Sequence, residues 1–172
     1  SYNNMRVVEY GDKIAAVAMS FVIAKKTIEE LKKIPELFMV FSNLTQTAVG
    51  SYYLDSLAVM PEFRGRKFGR LMLQDTIEIA RNRNDEKICL LAFDENKLAI
   101  GLYEKVGFKR ISSLDVPDHP AMPYRGTVSL FSLRHFNNQT IGPSAFTASS
   151  TCSSNSTKFS LNKLARCFAF SS

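Results

Sequence analysis

The sequence predicts an α/β fold (α+β in its segregation of strands) built as one domain on a mixed sheet, and three observations carry that prediction. Two β-rich runs, Met5 to Tyr10 and Ile14 to Ile23, flank a Gly11-Asp12 turn. Downstream, apolar periodicity switches between strand and helix in the order β-α-β-α-β. The length of 172 residues, with 45% hydrophobic residues, suffices for one well-packed core and not for two.

Taken in order, the first pair reads as an antiparallel hairpin, because Gly11 can supply the positive φ a tight turn requires. Thr27-Ile28-Glu29-Glu30 is a capping-box pattern that predicts a short helix running to Ile34 and stopped by Pro35. From Leu37 to Val49 the pattern favours neither helix nor strand. Tyr52 to Met60 reads as a strand ended by Pro61, and Phe68 to Arg83 as an amphipathic helix. Lys87 to Phe93 is a compact apolar strand, Lys97 to Lys105 a second helix with Gly107 just past its end, and Phe108 to Ser113 a further strand. A Pro-rich loop from Val116 to Pro123 precedes a last strand over Thr127 to Leu133. The domain is expected to occupy residues 1–136. Residues 137–172 hold nine Ser, four Thr and four Asn with no acidic residue, and read as a disordered tail.

The formal net charge is +6, but Lys158, Lys163 and Arg166 in that tail account for three of the six, so the core carries only +3 and no second basic stripe. Nucleic acid is therefore not an expected partner. No apolar run approaches the roughly 20 residues needed to span a bilayer, and no secretory signal is visible, so the expectation is a cytoplasmic chain with no membrane partner. Cys89 sits in an apolar strand without a His partner and reads as core, while Cys152 and Cys167 have no ligand-spaced neighbours; no metal is expected.

The chemistry concentrates at one strand-to-helix junction. Arg64-Gly65-Arg66-Lys67-Phe68-Gly69-Arg70 brings two glycines and four basic residues to the start of a helix. Amides there have no internal acceptor and the helix dipole adds about half a positive charge, which makes the segment an anion cradle suited to a pyrophosphate. About 30 residues later, Asn96 opens the next helix as an N-cap. Tyr103 follows seven positions on, about two turns and so on nearly the same face.

Together these segments resemble the GNAT (GCN5-related N-acetyltransferase) superfamily. They are similar to its Arg/Gln-X-X-Gly-X-Gly/Ala motif and to its later Asn-X-X-Ala-X-X-Leu-Tyr-Glu-Lys-X-Gly-Phe stretch, here Asn96 to Phe108. The resemblance implies a mostly antiparallel mixed sheet with a central splayed pair of parallel strands and flanking helices. It implies acetyl-CoA as co-substrate, with the pantetheine arm paired to the backbone of Leu57, Ala58 and Val59, the pyrophosphate on Arg64, Gly65, Arg66, Lys67, Phe68, Gly69 and Arg70, and Asn96 on the cofactor arm. Tyr103 would protonate the departing thiolate in a direct transfer to an amine acceptor.

For the base, regular strand parity places Asp55 on one face with Leu57 and Val59. Asp94, Glu95 and His119 are further candidates. Three departures stand out. Lys67 occupies the motif's usual glycine. Only Ser1 to Asn4 precede the hairpin where the family has a strand and helices that wall the acceptor site. The tail has no counterpart. These expectations lead to an N-acetyltransferase acting on a primary amine of a small molecule or of a protein N-terminus or lysine. The alternative is a truncated, catalytically degenerate module that binds coenzyme A or a partner. An incomplete sheet also leaves room for a homodimer.

Overall fold

In the computed structural model, which describes residues 4–120, 122 and 124–134, the Gly11-Asp12 turn joins β1 (Met5–Tyr10) to β2 (Lys13–Val22), with Gly11 at φ 63°. The expected tail lies outside the described residues. The chain continues through α1 (Ile28–Lys32), α2 (Glu36–Gln46), β3 (Tyr52–Val59), a 3-10 turn at Pro61–Phe63, α3 (Phe68–Asn82), β4 (Lys87–Phe93), α4 (Lys97–Val106), β5 (Lys109–Asp115) and β6 (Thr127–Arg134). The six strands form one sheet in the order β1-β2-β3-β4-β6-β5. All its pairings are antiparallel except β3 with β4, so the mixed sheet with one central parallel pair is present.

The sheet is covered on both faces. On one, α3 and α4 bury Met72, Leu73, Ile77, Ile100 and Tyr103 against Tyr52, Leu54, Ile88, Leu90 and Phe131. On the other, Val40 and Leu44 of α2 pack with Tyr53, Cys89, Val128 and Leu130. β4 serves both cores by simple alternation, which is why its sequence reads as an unbroken apolar run.

The capping box forms as expected: the Thr27 hydroxyl accepts the Glu30 amide at 3.2 Å, and the Thr27 amide donates to the Glu30 carboxylate at 2.7 Å. Those bonds hold the Glu30 carboxyl below its ordinary range. Helix α2 is the element the sequence does not announce. Its N-cap is Pro35, with no side-chain bond to the first amides, and its interior holds Ser42, Asn43 and Thr45, which favour caps and turns over helix interiors. Tertiary packing decides instead. Leu37, Val40, Phe41 and Leu44 repeat at helical spacing, and Leu44 is only 2% exposed. This helix, inserted between β2 and β3, covers that face of the sheet.

The far side of the sheet is tied by Asp94, just past the end of β4. Its carboxylate accepts from Arg110 at 2.6 Å, Thr127 at 2.7 Å and Ser129 at 2.7 Å, and its amide donates to the Thr127 carbonyl. Arg110 also lies 5.2 Å from the Phe131 ring centroid. Burial alone would raise the Asp94 carboxyl, but the bonds from Ser129, Arg110 and Thr127 outweigh it and hold the pKa below the usual range.

Two outcomes follow from this packing. Leu44→Ala should cost about 2–5 kcal/mol of unfolding free energy in a denaturant titration, as expected for a large-to-small change in a packed core. Asp94→Asn should melt roughly 5 °C lower near pH 7. Because the folded-state pKa is depressed, this contribution is present above the unfolded value of about 3.9 and is lost as pH falls through the folded value. The melting curves of wild type and Asp94→Asn should therefore converge in strong acid.

Candidate active site

The parallel pairing of β3 with β4 lasts for three residues only, Tyr52 with Ile88, Tyr53 with Cys89 and Leu54 with Leu90. Beyond it, Leu57, Ala58 and Val59 stay paired to β2, while Leu91, Ala92 and Phe93 stay paired to β6. The facing edges of the two strands therefore separate into a gap. A bulge coincides with the parting: Met19 opposes Ser56 and Ser20 opposes Leu54, which leaves Asp55 without a partner on β2. An extra residue bends a strand and increases its twist.

The bulge corrects the parity expected for Asp55. Tyr52 and Leu54 before it, and Leu57 and Val59 after it, all face the α3–α4 core, so the alternation slips by one at Asp55 and Ser56. Asp55 is therefore not aligned with Leu57 and Val59. Its carboxylate accepts the Ser56 hydroxyl at 2.9 Å, and desolvation raises its pKa against that bond.

At the end of β3 the chain passes through the 3-10 turn into the predicted cradle. Gly65 has φ 74°, and Lys67, the N-cap of α3, has φ 66° and ψ 11°, the left-handed conformation that glycine adopts most readily. Lys67 thus holds a backbone conformation that glycine would adopt without strain. It makes no side-chain bond to the helix, and the first turn holds no acidic residue. The first helical bond to reach back runs from the Leu71 amide to the Lys67 carbonyl, so the amides of Phe68, Gly69 and Arg70 lack helical acceptors. A Cβ on Gly69 would stand 3.6 Å from Val59 Cγ2 and 3.8 Å from Leu102 Cδ2, which places this turn directly beside the end of β3 and beside α4.

Three rings support the loop from below: Tyr10 of the hairpin, Phe63 and Phe68, with centroid separations of 5.8, 5.9 and 6.0 Å. The Arg66 guanidinium lies 5.7 Å from both the Tyr10 and the Phe63 centroids. Arg64, Lys67 and Arg70 are exposed around the helix start.

Asn96 caps α4 as predicted, its Oδ1 accepting the Ala99 amide at 3.1 Å. Tyr103 is 9% exposed, near Phe108 and Phe131, and burial pushes its phenol up to about 12. The residue the sequence reading missed is Tyr53. Its phenol is raised first by burial and then by the charges of Asp55, Cys89 and Tyr103; Tyr53 pairs with Cys89 across the parallel strands, on the sheet face opposite the core that holds Tyr103. Cys89 is buried and raised to about 11, against the Ser51 hydroxyl and Lys87, which suits a packing residue and not a nucleophile. Asp94 is engaged with its three donors. Glu95 is exposed, and the His119 carbonyl accepts the Met122 amide in the loop after β5.

On the α2 side, a chain of tilted and edge-on ring contacts leads to the end of β4: Phe38 to Phe41 at 6.4 Å, Phe41 to Phe93 at 5.8 Å and Phe93 to Tyr124 at 5.1 Å. A separate cleft of about 440 Å³ lies at the other end of β3, where Arg6 is paired with Asp75 and Arg83 with Asp85, away from this gap. Among the described residues, no cluster of three or more His, Cys, Asp or Glu could hold a metal ion, and no helix is long and apolar enough to cross a membrane.

Comparison with known proteins agrees with this geometry. The thialysine N-epsilon-acetyltransferase of Mus musculus is 31% identical over 70 residues, which cover 41% of this chain and 39% of that enzyme. The matched stretch is thus well under half of the relative's length. A mosquito arylalkylamine N-acetyltransferase-like protein superposes with a TM-score of 0.64 at 18% identity, over 77% of this chain and 74% of that one. A Bacillus subtilis acetyltransferase in complex with CoA superposes at 0.52 and 15% identity, over 76% of each chain. The family described as "Acetyltransferase (GNAT) family" matches residues 3–108, well over half of the sequence. On that match the chain belongs to the GNAT acetyltransferases.

Proposed function

We propose that this chain is an N-acetyltransferase that moves acetyl from acetyl-CoA directly to a primary amine, on a small molecule or on a protein N-terminus or lysine. The observation that carries the reading is the juxtaposition at Gly69: three amides without helical acceptors stand against Val59, at the end of the strand that parts from β4. The site fits the co-substrate that the family uses. The amides of Phe68, Gly69 and Arg70, with the cations of Arg64, Lys67 and Arg70, suit a pyrophosphate. The free edge of Leu57 to Val59 suits an extended amide-bearing arm.

Acetyl-CoA supplies the acetyl group as an activated thioester. Tyr103 keeps its proton throughout the physiological range because burial raises it, so it is able to donate to the sulfur as the carbon–sulfur bond breaks. Asp55 is the base assigned to the acceptor ammonium, which must lose a proton before its nitrogen bonds the carbonyl carbon. A raised carboxyl is the better acceptor for that proton. The names of the mouse and mosquito relatives both specify amine acceptors, which supports the acceptor class.

Calorimetry with acetyl-CoA tests the binding step: heat and a raised melting temperature are expected, and their absence at saturating cofactor would sink the proposal. For chemistry, Tyr103→Phe should lower kcat about 100-fold while the acetyl-CoA Kd stays within about twofold. Binding without turnover across a panel of amines would instead leave the chain as a coenzyme A-binding module.

A further inference from the structure

We propose that Arg66 is a positioning residue and not a phosphate ligand: through Tyr10 and Phe63 it fastens the cofactor loop to the β1–β2 hairpin. The inference rests on reading the Arg64–Arg70 loop as the acetyl-CoA site. Judged by sequence, Arg66 is one of four equivalent cations. In the structure its guanidinium lies equally close, 5.7 Å, to two rings that come from elements 53 residues apart in sequence, Tyr10 at the end of β1 and Phe63 in the 3-10 turn.

The placement is not incidental to the loop. Phe63 and Phe68 bracket the four residues Arg64 to Lys67, and both rings meet Tyr10 edge-on, at interplanar angles of 61° and 68°. Phe63 is anchored, at 6% exposure, so the hub is fixed to the protein interior. Arg66 itself stands between Gly65 and Lys67, the two left-handed residues that turn the chain toward the helix start. Of these two, Lys67 is not glycine and needs its surroundings to hold it at positive φ. A side chain folded back onto a ring pair supplies that hold while leaving the Phe68 to Arg70 amides uncovered. The hub also accounts for Tyr10, an aromatic residue 54% exposed on a hairpin end.

The mechanism makes a charge on the phosphates and a charge on the rings distinguishable. A cation touching phosphate is screened by salt, so its removal flattens the salt dependence of binding. A cation acting through Tyr10 should leave that dependence intact and should be energetically coupled to Tyr10. The experiment measures the acetyl-CoA Kd at low and high salt for Arg66→Gln, Tyr10→Ser, Tyr10→Phe and the Arg66→Gln/Tyr10→Ser double variant. Arg66→Gln and Tyr10→Ser should each weaken binding about three- to tenfold with the salt dependence of wild type, and the double variant should be no weaker than the worse single within about twofold. Tyr10→Phe should bind like wild type and keep the wild-type kcat at saturating substrates.

A flattened salt dependence in Arg66→Gln, additive losses in the double variant, or an unchanged Kd in Arg66→Gln would overturn the assignment. Amide hydrogen exchange over residues 65–70 reads the same fastening with no cofactor present. Faster exchange in Arg66→Gln and Tyr10→Ser supports it and unchanged exchange overturns it, so the result stands apart from whether wild type binds acetyl-CoA.

Discussion

Everything functional in this chain depends on how soon β3 and β4 stop pairing. A parallel pair continued for seven residues would close the centre of the sheet and leave no backbone edge for a ligand. Here pairing ends after Leu54 and Leu90, and the bulge at Asp55 turns β3 away at the same level. Each strand remains hydrogen-bonded on its outer side, so the opening costs few backbone bonds in the rest of the sheet. The gap is therefore a built feature of the sheet, with the Asp55 bulge where it opens and the start of α3 beside Val59 at its end.

Around that opening, groups of different origin are held by different forces. The amides of α3 are presented by backbone conformation, since Gly65 and Lys67 both adopt left-handed angles. Tyr103 is held by packing within the α3–α4 core, and that same burial keeps its proton in place. Asp55 owes its position to an irregularity in cross-strand register. One feature thus rests on torsion, one on dispersion and desolvation, and one on hydrogen-bond geometry.

The regular elements were largely legible in the sequence because their ends carry local signals: Gly11 at the hairpin, Thr27 and Glu30 at α1, Asn96 and Gly107 at the two ends of α4. The Asn96 cap needed only neighbours within a few residues, its partner being the Ala99 amide. What escaped was non-local. Helix α2 has no cap signal and is stabilised by a sheet face assembled from strands as far apart in sequence as Tyr53 and Leu130. The Asp55 bulge depends on register with β2, which no periodicity within β3 can reveal. The same holds for the ring hub that joins Tyr10 to the loop.

The sharing of β4 between two cores has a thermodynamic corollary. Ile88, Leu90 and Ala92 belong to the α3–α4 side, while Cys89, Leu91 and Phe93 belong to the α2 side. Neither layer can loosen without exposing the back of the strand that supports the other. The two helical layers are thereby joined into one cooperative unit, which should melt in a single transition although the layers cover opposite faces of the sheet.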